Sequence, residues 1–318
     1  VGAAHPLRLT LAALDQAGVT NSPIQLTPLA LPYVEQLTAD TLRPTSKQVR
    51  PLAELLFAKT DGNPFFLNEF LKSLYAEALL TFNYDQGRWQ WDLGQIQAQA
   101  ITENVVALMA DKVKKLPPAT QAVLKLAACI GSRFDLETLA IVSEQLPSET
   151  AVNLWDAIAA GLVLPLSETY KLVELDVPGL VEAVTVEYKF AHDRVQQAVY
   201  SLIAEAEKQA THWRVGQRLL HHMPAPEQGP RLFDIVNQLN WGYGLADNQS
   251  QRDELARLNL QAGQKAKDSI AYQAAFNYLR FGLDLLGEDS WQRRYELSLR
   301  LHEEAAEAAY LSGNFEIL

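Results

Sequence analysis

The chain has 318 residues, of which 48% are hydrophobic and 20% charged, and its formal net charge is −11. That length allows two or three domains, that balance fits a soluble globular protein, and nothing approaches the roughly 18 apolar residues in a row that a membrane helix needs. The acidic excess argues against nucleic acid as a partner, because phosphate contacts need a basic face.

The first residues, Val1-Gly2-Ala3-Ala4-His5-Pro6, hold neither Met nor a charged region leading into an apolar core, so they are not expected to form a signal peptide. Near the other end, Leu311 to Phe315 stops within a helix–turn pattern, and both ends are expected to be cuts through a longer polypeptide. Leu7, Leu11 and Leu14 recur at helical spacing over His5 to Leu14, and Gly18 closes that helix. Ile24 to Leu29 alternates like a short strand, and Val34, Leu37 and Leu42 return to helical spacing over Pro32 to Leu42. A strand that short needs neighbours, so it is expected at the edge of an α/β domain lying mostly upstream.

From Ser46 to about Lys115 the pattern is helical. Pro51 fits the first turn of a helix carrying Leu52, Leu55 and Leu56. Asp61-Gly62-Asn63-Pro64 is a turn, and Pro64 starts a helix with Phe65, Phe66, Phe70, Leu71 and Leu74. Asp85-Gln86-Gly87, between Leu80–Tyr84 and Arg88–Trp91, reads as a hairpin turn. Thr102-Glu103-Asn104 then precedes a helix through Leu108.

Pro117-Pro118 marks a boundary. Helices are expected over Ala119–Ile130, over Leu136–Ser143 after Phe134-Asp135, and from a Ser148 cap through Val152, Trp155 and Ile158 to Gly161. Strands are expected at Leu162–Leu166 and Val184–Phe190. Three helices and a two-stranded wing form the order of a winged-helix domain. The third helix carries Glu149 and Asp156 with no Lys or Arg, which disfavours the major groove of DNA.

After Ile203 the chain is helical. Leu258, Ala262, Ala266 and Tyr272 match Leu301, Ala305, Ala309 and Phe315 at an offset of 43 residues, as in stacked helix-hairpin repeats. The single Cys129 lies in an apolar run and forms no internal disulfide, which suits a reducing cytoplasm. His221 and His222 are adjacent on a helix and point to different faces, and with His212 they form no metal set. Leu301-His302-Glu303 falls inside the repeat and reads as a solvated face, not a phosphoacceptor.

Tyr188-Lys-Phe-Ala-His-Asp-Arg-Val-Gln-Gln-Ala-Val-Tyr200 carries the densest signal. A strand runs into His192-Asp193-Arg194 and then into a helix, whose first turn leaves backbone N–H groups unpaired. A histidine there can hydrogen-bond a phosphate, or it can cap the corner while Asp193 pairs with Arg194. No G-x-x-x-x-G-K-[ST] pattern occurs, and Gly263 to Ser269 imitates it with the wrong spacing. No apolar strand ends in Asp-Asp or Asp-Glu. Without a phosphate cradle and a metal carboxylate, these residues alone are expected to be non-catalytic.

Tyr188–Tyr200 resembles the winged-helix segment of the STAND-type (AAA-like) signalling ATPases built into large bacterial multi-sensor kinases, and Gly62-Asn63-Pro64-Phe65-Phe66-Leu67 is similar to a motif of the same family. The resemblance implies a mainly α chain. It implies the C-terminal remnant of an α/β NTPase core at 1–45, a helical lid with a small hairpin at 46–115, a winged-helix domain at 116–205, and truncated TPR-like helical repeats at 206–318. By the same resemblance Gly62, Asn63 and Pro64 open a lid helix near an adenine, His192 contacts the β-phosphate, and Asp193 and Arg194 fix its corner. ATP or ADP would be the cofactor of the complete polypeptide, with no tight binding by these residues alone. The partners implied are other domains of the same chain and a protein on the repeats, with neither nucleic acid nor membrane. The implied parent is a cytoplasmic bacterial protein with a serine/threonine kinase upstream and a GAF-histidine kinase of two-component type downstream. A non-catalytic scaffold and a STAND-type transcriptional regulator are the alternatives.

Overall fold

The computed structural model describes residues 26–43, 46–98, 105–167, 186–222 and 231–314, together with single positions 22, 24, 170 and 229. The chain is mainly helical and divides into two compact units, one ending at Val105 and the other beginning at Val106.

In the first unit, α1 (Leu31–Leu42) packs on α2 (Ser46–Thr60), and α2 packs on α3 (Pro64–Ala76). Leu52, Leu56, Leu67, Phe70 and Leu74 recur at helical spacing and form its buried centre. Pro51 lies inside α2 rather than in its first turn, because the helix already begins at Ser46. The missing proline N–H leaves one carbonyl without its helical partner at that point. Strands β1 (Leu80–Asn83) and β2 (Arg88–Trp91) pair antiparallel with Leu80 opposite Trp91, and Gly87 has a φ of +61° in the expected turn. Trp89 meets Tyr75 and Phe82 edge-on at 5.7 and 5.4 Å, which ties the hairpin to α3. A short α4 (Leu93–Ala98) follows.

The strand expected at Ile24–Leu29 is not formed by the described residues in that span. Ile24 and Leu26 are exposed, no ladder partner stands beside them, and the Leu29 N–H donates to the Gly62 carbonyl at 2.8 Å. The helix expected at His5–Leu14 lies outside the described residues.

After α5 (Val105–Lys114), the second unit runs α6 (Pro118–Ile130), β3 (Arg133–Asp135), α7 (Leu136–Ser143), α8 (Pro147–Ala159), β4 (Val163–Pro165) and β5 (Glu187–Phe190). The sheet has three strands in the order β3-β5-β4, all antiparallel, where the sequence led us to expect two. Arg133–Asp135 carries no strand signal of its own, because three residues are too few to display alternation. Phe134 joins the core by stacking on Tyr188 at 5.9 Å and meeting Phe190 at 5.6 Å. Helix α8 begins at Pro147, so Ser148 is not its cap; proline supplies a first-turn φ without an N–H to satisfy. Residues 184 and 185 of the expected last strand lie outside the described residues.

Helices α9 (Asp193–Ser201), α10 (Glu205–His222), α11 (Leu232–Trp241), α12 (Gln249–Asp268), α13 (Tyr272–Leu285), α14 (Ser290–Arg293) and α15 (Tyr295–Ser312) complete the unit. Packing pairs α10 with α11, α12 with α13, and α13 with α15. Leu258, Ala262 and Ala266, and their counterparts Leu301, Ala305 and Ala309, are all buried, as their recurrence predicts; Phe315 lies outside the described residues. Gly263 lets α12 and α13 close together, since a Cβ there would sit 2.4 Å from the Leu279 Cγ. Polar contacts join residues at nearly that separation: Asn237 with Tyr278 and Gln273 with Asn314 are each 41 residues apart. Among the described residues no helix is long and apolar enough to cross a membrane.

Candidate functional site

The two corners marked in the sequence are both helix N-termini, and they belong to different compact units. At the first, the Asn63 side chain accepts a hydrogen bond from the Phe66 N–H at 3.1 Å, and Pro64 fills the first helical position. Gly62 has a φ of +68°. A Cβ on it would lie 2.0 Å from the Leu29 carbonyl oxygen, so the turn accepts only glycine without displacing the neighbouring strand of chain. The three residues therefore act together to seat α3, with Phe66 and Leu67 buried behind them.

At the second corner β5 passes through Ala191 into α9, and His192 is the cap. Its Nδ1 accepts the Arg194 N–H at 3.1 Å, which puts the ring proton on Nε2. The imidazole thus caps the helix through Nδ1 and carries its N–H on Nε2. His192, Asp193 and Arg194 are all exposed. The Asp193–Arg194 pair expected under the capping reading is not made. Arg194 donates to the Gln197 Oε1 at 2.8 Å, and Asp193 sits in the first turn, where its charge suits the helix dipole.

Behind the corner, α9 is fixed by groups the sequence did not flag. The Gln196 amide donates to the Ala128 carbonyl of α6 at 3.1 Å. Tyr200 and the His212 Nε2 lie 2.9 Å apart, and the His212 Nδ1 is 2.6 Å from the Gln238 Oε1. The Gln238 amide donates to the Cys129 carbonyl at 2.6 Å, so its oxygen faces His212. That orientation makes Nδ1 the donor and Nε2 the acceptor of the Tyr200 hydroxyl. His212 is buried and stacks on Trp241 at 5.4 Å, so it is a core histidine linking α9, α10 and α11. Burial pushes the Cys129 thiol up to about 12, as fits an inert thiol. Burial likewise pushes the Tyr200 phenol up.

Two arginines tie the helical hairpins to the three-stranded part. Arg231 donates to the Asp135 Oδ2 and the Thr138 Oγ1, each at 2.5 Å. Asp135 also caps α7 by accepting the Thr138 N–H at 2.7 Å. Arg218 donates to the Val142 carbonyl and pairs with Glu144 at 2.5 Å. The division expected at 205/206 is therefore bridged, and both sides fold as one unit. A signal for this existed only as scattered Arg, Asp and Gln residues about 76 to 109 positions apart, a separation that local patterns do not register.

The described residues contain no group of three or more His, Cys, Asp or Glu side chains that could hold a metal ion. No protein-family model matches the chain. Over 94% of its length it is similar to a stretch of the hybrid signal transduction histidine kinase G of Dictyostelium discoideum, with 28% identity across 344 aligned positions. The chain spans 10% of that protein's length.

Proposed function

We propose that the chain is a regulatory segment of a STAND-type signalling ATPase within a multi-domain sensor kinase, in which a nucleotide-dependent switch is coupled to helical repeats. The observation that carries this reading is the His192 corner. Histidine is not among the side chains that cap helices best, yet it occupies the cap of α9, where its exposed ring stands at the positive end of the helix. Such a corner offers hydrogen bonds and a positive dipole end to a β-phosphate.

The helix–strand–helix–helix–strand–strand order with sheet order β3-β5-β4 supports a winged helix at this place. The stacked hairpins support TPR-like repeats, and the relative's printed name supports a signalling context. On this reading Gly62, Asn63 and Pro64 open the lid near the adenine, while Asp193 and Arg194 fix the His192 corner. Its mechanism is a population shift: ADP favours the closed arrangement, and exchange for ATP releases it. The ligand moves the equilibrium only by its difference in affinity for the two states. Because Arg231 and Arg218 join the winged helix to the first hairpin, movement of one is passed to the other as a rigid body.

The test uses a longer polypeptide that includes the upstream residues, purified with bound ADP. His192→Ala is expected to speed ADP release by about tenfold or more, in line with the loss of one charge-assisted hydrogen bond. Residues 1–318 alone are expected to bind neither ADP nor Mg-ATP in a calorimetric titration. Unchanged release by the His192 variant would instead favour a non-catalytic scaffold.

A further inference from the structure

Strand β2 pairs with β1 on one side, and no described strand pairs with its other side. Edge strands are ordinarily defended by a Pro, a Lys or a bulge, because their free N–H and C=O groups accept another strand. β2 has none of these, and its residues Arg88–Trp91 face Leu80–Asn83 one for one. A trough of ≈ 410 Å³ lies beside it, bordered by Arg88, Trp89, Gln90, Trp91 and Asp92 in succession and by Gln95. Side chains of a strand alternate between its two faces, so consecutive residues border one opening where that opening follows the backbone edge.

The same edge is self-complementary. Arg88-Trp89-Gln90-Trp91-Asp92 has a cation at one end, an anion at the other, a tryptophan inside each, and neutral Gln90 at the centre. Trp89 and Trp91 stand opposite Phe82 and Leu80 on one face, and Arg88 and Gln90 stand opposite Asn83 and Thr81 on the other. Antiparallel pairing of two copies about a two-fold axis at Gln90 sets Arg88 opposite Asp92 of the second copy and Trp89 opposite its Trp91, each contact being made twice. Opposite charges and aromatic pairs directly across strands are favourable combinations. Moving the axis to Trp89 or Trp91 leaves the charges unmatched, and a one-residue slip sets the tryptophans against the polar row. Both charges are available for this pairing. Arg88 donates only its Nε, to the Gln86 Oε1 at 2.7 Å, and Asp92 uses only Oδ1, which accepts the Gly94 and Gln95 N–H groups at 2.8 and 3.2 Å. Both are exposed, and neither forms an ion pair among the described residues.

We infer that β2 is a self-association edge, through which two copies of this chain join their hairpins into one four-stranded antiparallel sheet in the register that sets Arg88 against Asp92 of the second copy. The inference goes beyond the nucleotide switch, and the association requires no nucleotide. So short a pair of strands buries less than the roughly 1,000 Å² of a stable interface, so the dimer of the isolated chain is weak.

The test is sedimentation equilibrium of the whole 318-residue chain without nucleotide, from about 10 μM to about 1 mM, the range in which a weak interface associates. A monomer–dimer equilibrium is expected. Arg88→Glu sets like charges opposite each other at both ends and should weaken the dimer about tenfold or more. It costs one exposed hydrogen bond to Gln86, so its circular dichroism should match the parent. Asp92→Lys should weaken the dimer likewise, and an equimolar mixture of the two variants should restore it, since each end then meets its opposite. Asp92→Lys also removes the acceptor at the start of α4, whereas Asp92→Asn keeps that acceptor, removes the charge and should weaken the dimer by a smaller factor. The proposal falls if the chain stays monomeric throughout, if Arg88→Glu associates as well as the parent, or if a folded Asp92→Lys fails to rescue Arg88→Glu. Association that appears only with ADP or Mg-ATP would overturn it too, by assigning the dimer to the switch.

Discussion

The Gly62 corner and the His192 corner are both sharp entries into a helix, and the contrast between them separates residues chosen by folding from residues that folding leaves underdetermined. At the first, backbone geometry accounts for each side chain. Gly62 is the residue that tolerates φ +68° against the Leu29 carbonyl, Asn63 is a preferred cap, and Pro64 is a preferred first residue. At the second, the backbone of His192 is ordinary extended chain, and Asn, Asp or Ser would cap at least as well. The histidine is more than the helix requires, and that excess is why the functional weight falls on it.

The largest break should come at the first corner. Gly62→Ala forces an L side chain into the left-handed region and drives its Cβ into the Leu29 oxygen, so the 2.8 Å hydrogen bond must open. The expected loss is about 3 kcal/mol of stability, from left-handed strain plus displacement of the neighbouring chain. It would be measured as a shift in urea midpoint at constant slope. A loss of only a few tenths would mean the corner is loosely held.

The second effect concerns the junction that ties α10 and α11 to the three-stranded part. Arg231→Ala leaves the nearly buried Asp135 with its cap to α7 but without its cation, at an expected cost of about 2 kcal/mol. If the two sides are coupled as the geometry requires, their unfolding remains a single transition in the wild type and separates or broadens in the variant. Two transitions in the wild type would sink the rigid-body account.

How far the sequence spoke for itself follows the range of the interactions concerned. Helices α1, α3, α6 and α7, the hairpin and the buried repeat positions Leu258, Ala262, Leu301 and Ala305 were legible because spacing within one element determines them. Both corners were also legible, since turn, cap and first-turn residues are adjacent in the chain. The third strand Arg133–Asp135, the Pro51 and Ser148 placements, and the Ile24–Leu29 segment were misjudged. Each turns on a few residues whose state is set by a distant partner or by where a helix actually begins. The core role of His212 and the bridges from Arg293 and Arg294 to Asp253 left no local trace at all, because their partners lie 26 to 41 positions away.

A smaller effect returns to the caps. Asn63→Ala removes a cap whose acceptor is in place at 3.1 Å, and it should cost about 1 kcal/mol. Asn63→Asp or Asn63→Ser should restore most of that, because either supplies the same acceptor. If all three substitutions were equally costly, the Asn63 amide would be serving something other than the Phe66 N–H.

The smallest effect on stability carries the most information. His192→Asn replaces an Nδ1 acceptor with the Asn oxygen at the same exposed cap, so the melting temperature should stay within a degree or so, roughly the precision of a change of a few tenths of a kcal/mol. His192→Ala, which has no acceptor, should lose about 0.5 to 1 kcal/mol. Capping alone predicts that Asn is silent in every assay. A phosphate contact through Nε2 predicts that Asn is silent in stability yet releases ADP from the longer polypeptide as fast as Ala does, because neither side chain keeps the ring donor. The two readings of His192 agree on the fold and differ only in this one comparison. Equal ADP retention by wild type and His192→Asn would reduce the residue to a cap and remove the observation on which the switch rests.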